Sequence, residues 1–293
     1  MRKNDSLELK IIRVALPLLI YYGILLLVQT AFGVFAMVKN FLSIGESDAA
    51  GYILAYHFLD RTDEYIQNHS LVVMFIAALI TMVILSVIMK KDSGKTVFTG
   101  KEQMGFEEVL LIGLMGIFAA SGLGRFVSLF QLDNLVGSYA QVSEGFAGNP
   151  MVFQILTLCI AAPAAEEMIF RGMMYQRLSE YVDKMTAVVV SSIVFGVYHG
   201  NLVQGIYALI LGILLCFVFE SCGTLLAPVF LHMACNTAAL IIMYLPISRY
   251  ISNNIVLNII VMMLELGGMA FFTWKLYKRK NVDLDLNTSG KEE

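Results

Sequence analysis

The chain has 293 residues, is 58% hydrophobic and only 15% charged, and carries a formal net charge of −3. Soluble domains are about half apolar and about a quarter charged, so with a mean hydropathy of +0.74 this composition excludes an ordinary soluble globule. The weak acidic balance and the lack of a basic region exclude a nucleic-acid partner.

Apolar runs long enough to cross a hydrocarbon layer of about 30 Å recur along the chain. They predict an all-α, polytopic membrane helix bundle of about eight spans: 14–38, 71–89, 106–128, 150–178, 185–200, 202–220, 224–245 and 254–275. The first run follows the basic start MRKNDSLELKIIR and is too long for a removable signal peptide, so it is expected to be a membrane helix. The outer connection over 39–70 contains GYILAYHFLDRTDEYI, whose pattern suits an interfacial helix; His57 and His69 are expected to be solvated there. Small-residue groups at Ala119–Gly122 and Gly267–Gly268 suit close helix packing. Residues 281–293 are polar and expected to be disordered, and the whole of 1–293 is expected to form one domain. The four cysteines lie in or beside the spans without a Cys-x-x-Cys pair and are expected to act as small apolar side chains.

Basic residues set the orientation. With eight spans and the amino terminus inside, sixteen Lys and Arg fall on the cytoplasmic side and four (Lys39, Arg61, Arg125 and Arg249) on the outer side. That bias predicts a multi-pass protein of the cell membrane with both termini cytoplasmic.

Polar residues within the spans point to chemistry. In AAPAAEEMIFR (161–171), Glu167 and Arg171 are four apart on one helical face and suited to an ion pair. Glu166 is turned about 100° away and is free to face a polar cavity. Charges at membrane depth are costly and read as functional. The fifth span ends in FGVYHG, with His199; the seventh carries LHMACN, with His232 and Asn236 four apart. Counting a 1.5 Å rise from the nearest turns places Glu166, His199, His232 and Asn236 about 20, 22, 14 and 20 Å from one side. A carboxylate, two imidazoles and an amide at one depth suit hydrolysis by activated water. The carboxylate serves as base, and the imidazoles and amide orient water or hold an oxyanion. Glu166, His199 and His232 also have the composition of a zinc site with one open position, although no His-Glu-x-x-His helix is present. Glu265 in the last span is expected to find a structural partner such as Arg125.

The order Glu-Glu-x-x-x-Arg, Phe-x-x-x-His and His-x-x-x-Asn (Glu166, Glu167, Arg171; Phe195, His199; His232, Asn236) resembles the CPBP family of intramembrane proteases. This family is also called Abi or CAAX-protease-like and includes the type II CAAX prenyl endopeptidases. The resemblance covers about 151–245, so the protease core is expected over 150–245. It implies an intramembrane endopeptidase acting on a membrane-associated protein or peptide. Glu166 and His199 would activate water, and His232 and Asn236 would serve the oxyanion or a metal; zinc is possible and no cofactor is required. A second expectation from a different class is a non-catalytic membrane partner, a bacteriocin-immunity or sensor-kinase-binding protein. A transporter would show repeat symmetry, and the sequence has none.

Overall fold

A computed structural model describes residues 6–42, 51–92, 104–129 and 148–289, with side chains described for all of these except 51–57 and 281–289. Ten helices follow in order among the described residues. They are α1 (Leu7–Leu42), α2 (Gly51–Asn68), α3 (Ser70–Asp92), α4 (Phe106–Leu129), α5 (Met151–Ser179), α6 (Lys184–Tyr198), α7 (Leu202–Cys222), α8 (Leu226–Tyr244), α9 (Pro246–Ser252) and α10 (Ile255–Ser289).

Seven of them (α1, α3, α4, α5, α7, α8 and α10) are long and apolar enough to cross a membrane, and the protein is a multi-pass helical bundle. The fifth expected span, α6, differs. It is apolar but has 15 residues, about 22 Å, less than the full hydrocarbon thickness. It stops where Gly200 adopts a left-handed φ of +73° and Asn201 caps α7 by accepting from Gln204 N. The chain thus turns back at the depth of His199, which puts a polar loop beside the motif residues. At its start, Asp183 accepts from Thr186 N and Oγ1, and these bonds hold its carboxyl below the usual range.

Close approach requires small residues at the interfaces. A Cβ on Gly116 of α4 would lie 2.8 Å from Ala234 Cβ on α8, and Cys235 Sγ donates to the Gly116 carbonyl. Gly196 of α6 lies against Gly205 of α7, where a Cβ would meet the Gly205 carbonyl at 2.7 Å. Gly122 and Gly268 join α4 to α10 through Leu266 and Phe118, so both predicted small-residue groups lie at packed interfaces. The four cysteines are free and buried.

Each end of the bundle is tied by polar side chains. At the basic end, Arg13 of α1 donates to Glu180 (2.5 Å) and Tyr181 (2.9 Å), and Arg177 of α5 donates to Asp92 (2.8 Å). At the opposite end, the buried Asn149 side chain accepts from Leu71 N and donates to Ser70 Oγ, fastening the entry of α5 to α3. Between the ends, Arg125 of α4 pairs with Glu265 of α10 at 3.0 Å and donates to Asn258, so Glu265 has the partner expected for it.

The backbone from Asn281 continues α10 through Ser289, and residues 290–293 lie outside the described residues. One expectation needs correction. His69 is not a solvated loop residue. It sits at the α2–α3 junction with its ring stacked on Tyr65 at 4.2 Å and Nδ1 bonded to the Tyr65 carbonyl. The His57 side chain lies outside the described ones.

Candidate active site

Helix α5 is not uniform. Two π-helical stretches, Gln154–Ala161 and Phe170–Tyr175, flank the α-helical turns Ala162–Ile169 that carry Glu166 and Glu167. Such wide turns inside α-helices concentrate at functional sites. In the first of them, Pro163 decides which carbonyl is left open. Ala162 N–H reaches back five residues to the Thr157 carbonyl; in that register the next donor, for Leu158 O, would be residue 163, which is proline and has no N–H. The freed Leu158 carbonyl accepts instead from Asn236 Nδ2 of α8, at 2.9 Å.

Glu167 and Arg171 are both fully buried, and Arg171 Nη1 donates to Glu167 Oε1 at 2.9 Å, as the four-residue spacing predicts. Arg171 Nη2 donates to the Gly212 carbonyl of α7, and its guanidinium lies 4.6 Å from the Phe195 ring centroid. Glu167 does more than pair with arginine. Its Oε1 also lies 2.8 Å from His232 Nδ1. An ionised carboxylate only accepts, so His232 donates through Nδ1 and turns Nε2 away from it. Nε2 faces Glu166 Oε2 at 3.8 Å, beyond a direct hydrogen bond.

Glu166, 9% exposed, sits at the edge of this buried triad. Its Oε1 accepts from the Tyr198 hydroxyl at 3.4 Å. His199, the next residue, is partly exposed; its Nδ1 lies 2.8 Å from the Phe195 carbonyl, and its ring meets Phe195 and Tyr198 edge-on. The carbonyl can only accept, so Nδ1 carries the proton and Nε2 is left as the free ring nitrogen. Phe195 also stands edge-on to His232, at 5.8 Å between centroids.

The fold therefore joins Glu167, Arg171 and His232 directly and sets Glu166 beside His232. It sets His199 beside them through aromatic rings and ties Asn236 to the same helix by its amide. Spacing alone did not reveal that Glu167 serves His232 as well as Arg171, nor that Tyr198 touches Glu166. The signal for Tyr198 was present: a tyrosine in an apolar span needs a partner for its hydroxyl. Among the described residues, no three His, Cys, Asp or Glu side chains come together in a way that could hold a metal ion. Glu166, His199 and His232 are not gathered into such a group.

Residues 148–238 match the family described as "Type II CAAX prenyl endopeptidase Rce1-like". The chain is also similar to a Bacillus subtilis (strain 168) protein named "Putative membrane peptidase YdiL", 25% identical over 194 residues, covering 62% of this chain and 75% of that protein. No solved structure matches.

Proposed function

We propose that this chain, whose residues 148–238 match the type II CAAX prenyl endopeptidase Rce1-like family, is a bacterial-type CPBP intramembrane endopeptidase that hydrolyses a peptide bond in a membrane-associated protein or peptide. The observation that carries the proposal is the pair of acceptors, Glu166 Oε2 and His232 Nε2, set 3.8 Å apart at the edge of a fully buried Glu167–Arg171 pair.

A water between two acceptors donates a hydrogen to each and turns a lone pair outward, toward a scissile carbonyl. As its oxygen bonds to the carbonyl carbon, its proton passes to Glu166. Asn236 spends one amide N–H on Leu158 and keeps the other for the oxyanion. Collapse of the intermediate breaks the C–N bond, and the proton on Glu166 passes to the departing amine. His199, with Nε2 free, accepts from a substrate N–H and holds the peptide against the site. Glu167 and Arg171 fix the tautomer and direction of His232 without touching substrate. No step runs through a metal.

The test compares the membrane proteins of cells making the wild-type protein with those of cells making Glu166→Gln. A peptide processed only in the first supports an endopeptidase. Identical profiles, together with an intact cellular phenotype in Glu166→Gln, overturn it in favour of a non-catalytic membrane partner.

A further inference from the structure

Helix α1 lies outside the segment matched to the protease family, and little of it is buried: Pro17, Tyr21 and Ala36 are its buried positions. Two of these sit one helical turn apart and lead to the site. Tyr21, 5% exposed, meets Tyr198 edge-on at 5.8 Å, and Tyr22 lies 5.9 Å from the same ring. On its other side Tyr198 packs edge-on to Phe170 at 5.4 Å. The phenol that donates to Glu166 is thus clamped between α1 and α5.

Pro17 explains how a helix with so little buried surface is held in that place. Lacking an N–H, it leaves the Arg13 carbonyl without its ladder donor four residues on. Arg177 of α5 donates to that carbonyl, while the Arg13 side chain grips Glu180 and Tyr181 just beyond α5. A proline on α1 therefore makes a docking point for α5 at one end of the Pro17–Tyr21 turn, and the tyrosine contact closes the other.

We propose that Tyr21 is a positioning residue of the active site, setting the Tyr198 hydroxyl against Glu166, and that the Pro17-freed carbonyl holds α1 at the distance this requires. The role assigned to Glu166 rests on the endopeptidase reading above; the geometric link from α1 to Glu166 does not. Loss of the Tyr21 ring lets Tyr198 swing from Glu166, so the carboxylate loses a donor that fixes its rotamer. Truncating Tyr21 should lower kcat more than it raises KM, because the substrate does not touch it. A displacement of about 1 Å at a reacting group can cost up to about 10²-fold.

The experiment uses full-length protein in detergent micelles with meta-fluorotyrosine at position 198 alone, read by fluorine NMR. Glu166→Gln calibrates the shift produced by altering the hydrogen-bond acceptor. Tyr21→Ala should move the resonance in the same direction, and Tyr21→Phe, which returns the ring but not the hydroxyl that faces the Tyr198 phenol, should restore it in part. Pro17→Ala favours the helix and gives the Arg13 carbonyl back to its own ladder, so it reads the same link should Tyr21→Ala fail to fold; it too should move the resonance. A 198 resonance unmoved by Glu166→Gln, or unmoved by the folded α1 variants, overturns the proposal. Identical membrane proteomes in wild type and Glu166→Gln would overturn the endopeptidase reading while leaving the NMR result standing, so the two failures are distinct.

Discussion

The two adjacent glutamates face different demands, and their variants should fail differently. Glu166→Gln keeps volume and can still accept from Tyr198, but it loses the basic oxygen. The protein should fold and melt normally while turnover falls by about 10² or more. Glu167 is fully buried and serves two donors, Arg171 and His232. Glu167→Gln leaves the guanidinium without its counter-charge, at a cost of about 3–5 kcal/mol, and frees the His232 ring to turn. It should lose both melting temperature and turnover, measured on the same preparation. A Glu167→Gln protein that melts normally and cleaves normally would remove Glu167 from this scheme. The Glu167–Arg171 pair was legible because residues four apart on a helix must face together. The His232 contact was not, because counting residues from a turn gives height in the bundle and says nothing of azimuth.

At the scale of elements, the shape of α5 decides where the acids point. Its wide turns were not legible, since apolar runs look alike under α- and π-helical hydrogen bonding; the clue was Pro163 in the middle of a span. Pro163→Ala returns an N–H to the Leu158 carbonyl and sets it in competition with Asn236. Thermal stability should hold or rise, since alanine is the better helix former, while turnover falls as the amide is released. Unchanged turnover would deny Asn236 its anchored role. The α6–α7 hairpin makes the opposite kind of demand. Gly196→Val inserts branched carbon where a single Cβ already meets the Gly205 carbonyl at 2.7 Å, and should cost about 1–3 kcal/mol or more in thermal denaturation. The sequence motif FGVYHG marked this helix, but its span was expected to run to 200. The left-handed turn at Gly200 and the cap at Asn201 end it at Tyr198.

Across the whole molecule, hydropathy made the helical membrane architecture legible almost in full, because lipid demands long apolar helices with internally satisfied backbones. Orientation rests on the distribution of basic residues. Reporter fusions at Asp60, Gly94 and Glu144 should read outside, inside and outside, and the reverse pattern would invert the bundle. Elemental analysis of purified protein should find at most weakly held zinc, since the described acids and imidazoles form no group of three around a point. One tightly held zinc per chain, lost in His199→Ala, would overturn the metal-free mechanism. The contribution of α1 was the least legible part of the site. Nothing in an apolar stretch such as PLLIYYG reveals which tyrosine faces inward until the neighbouring helices are placed.

The π-helical turns also say what mutational history this chain can tolerate. A wide turn is the form a helix takes when one surplus residue is absorbed locally, without passing the error to either flank. Deleting Ile155, upstream of Leu158, should therefore be absorbed as an ordinary turn: Ala162 N would reach the Leu158 carbonyl four residues back, Asn149 would still fasten to α3, and Glu167 would still meet Arg171. What disappears is the vacant carbonyl that Asn236 occupies. A one-residue deletion here should insert and fold with the parental topology in a fusion assay yet produce no cleavage. In Gln154–Ala161, chain length is a quantity that the architecture forgives and the chemistry does not.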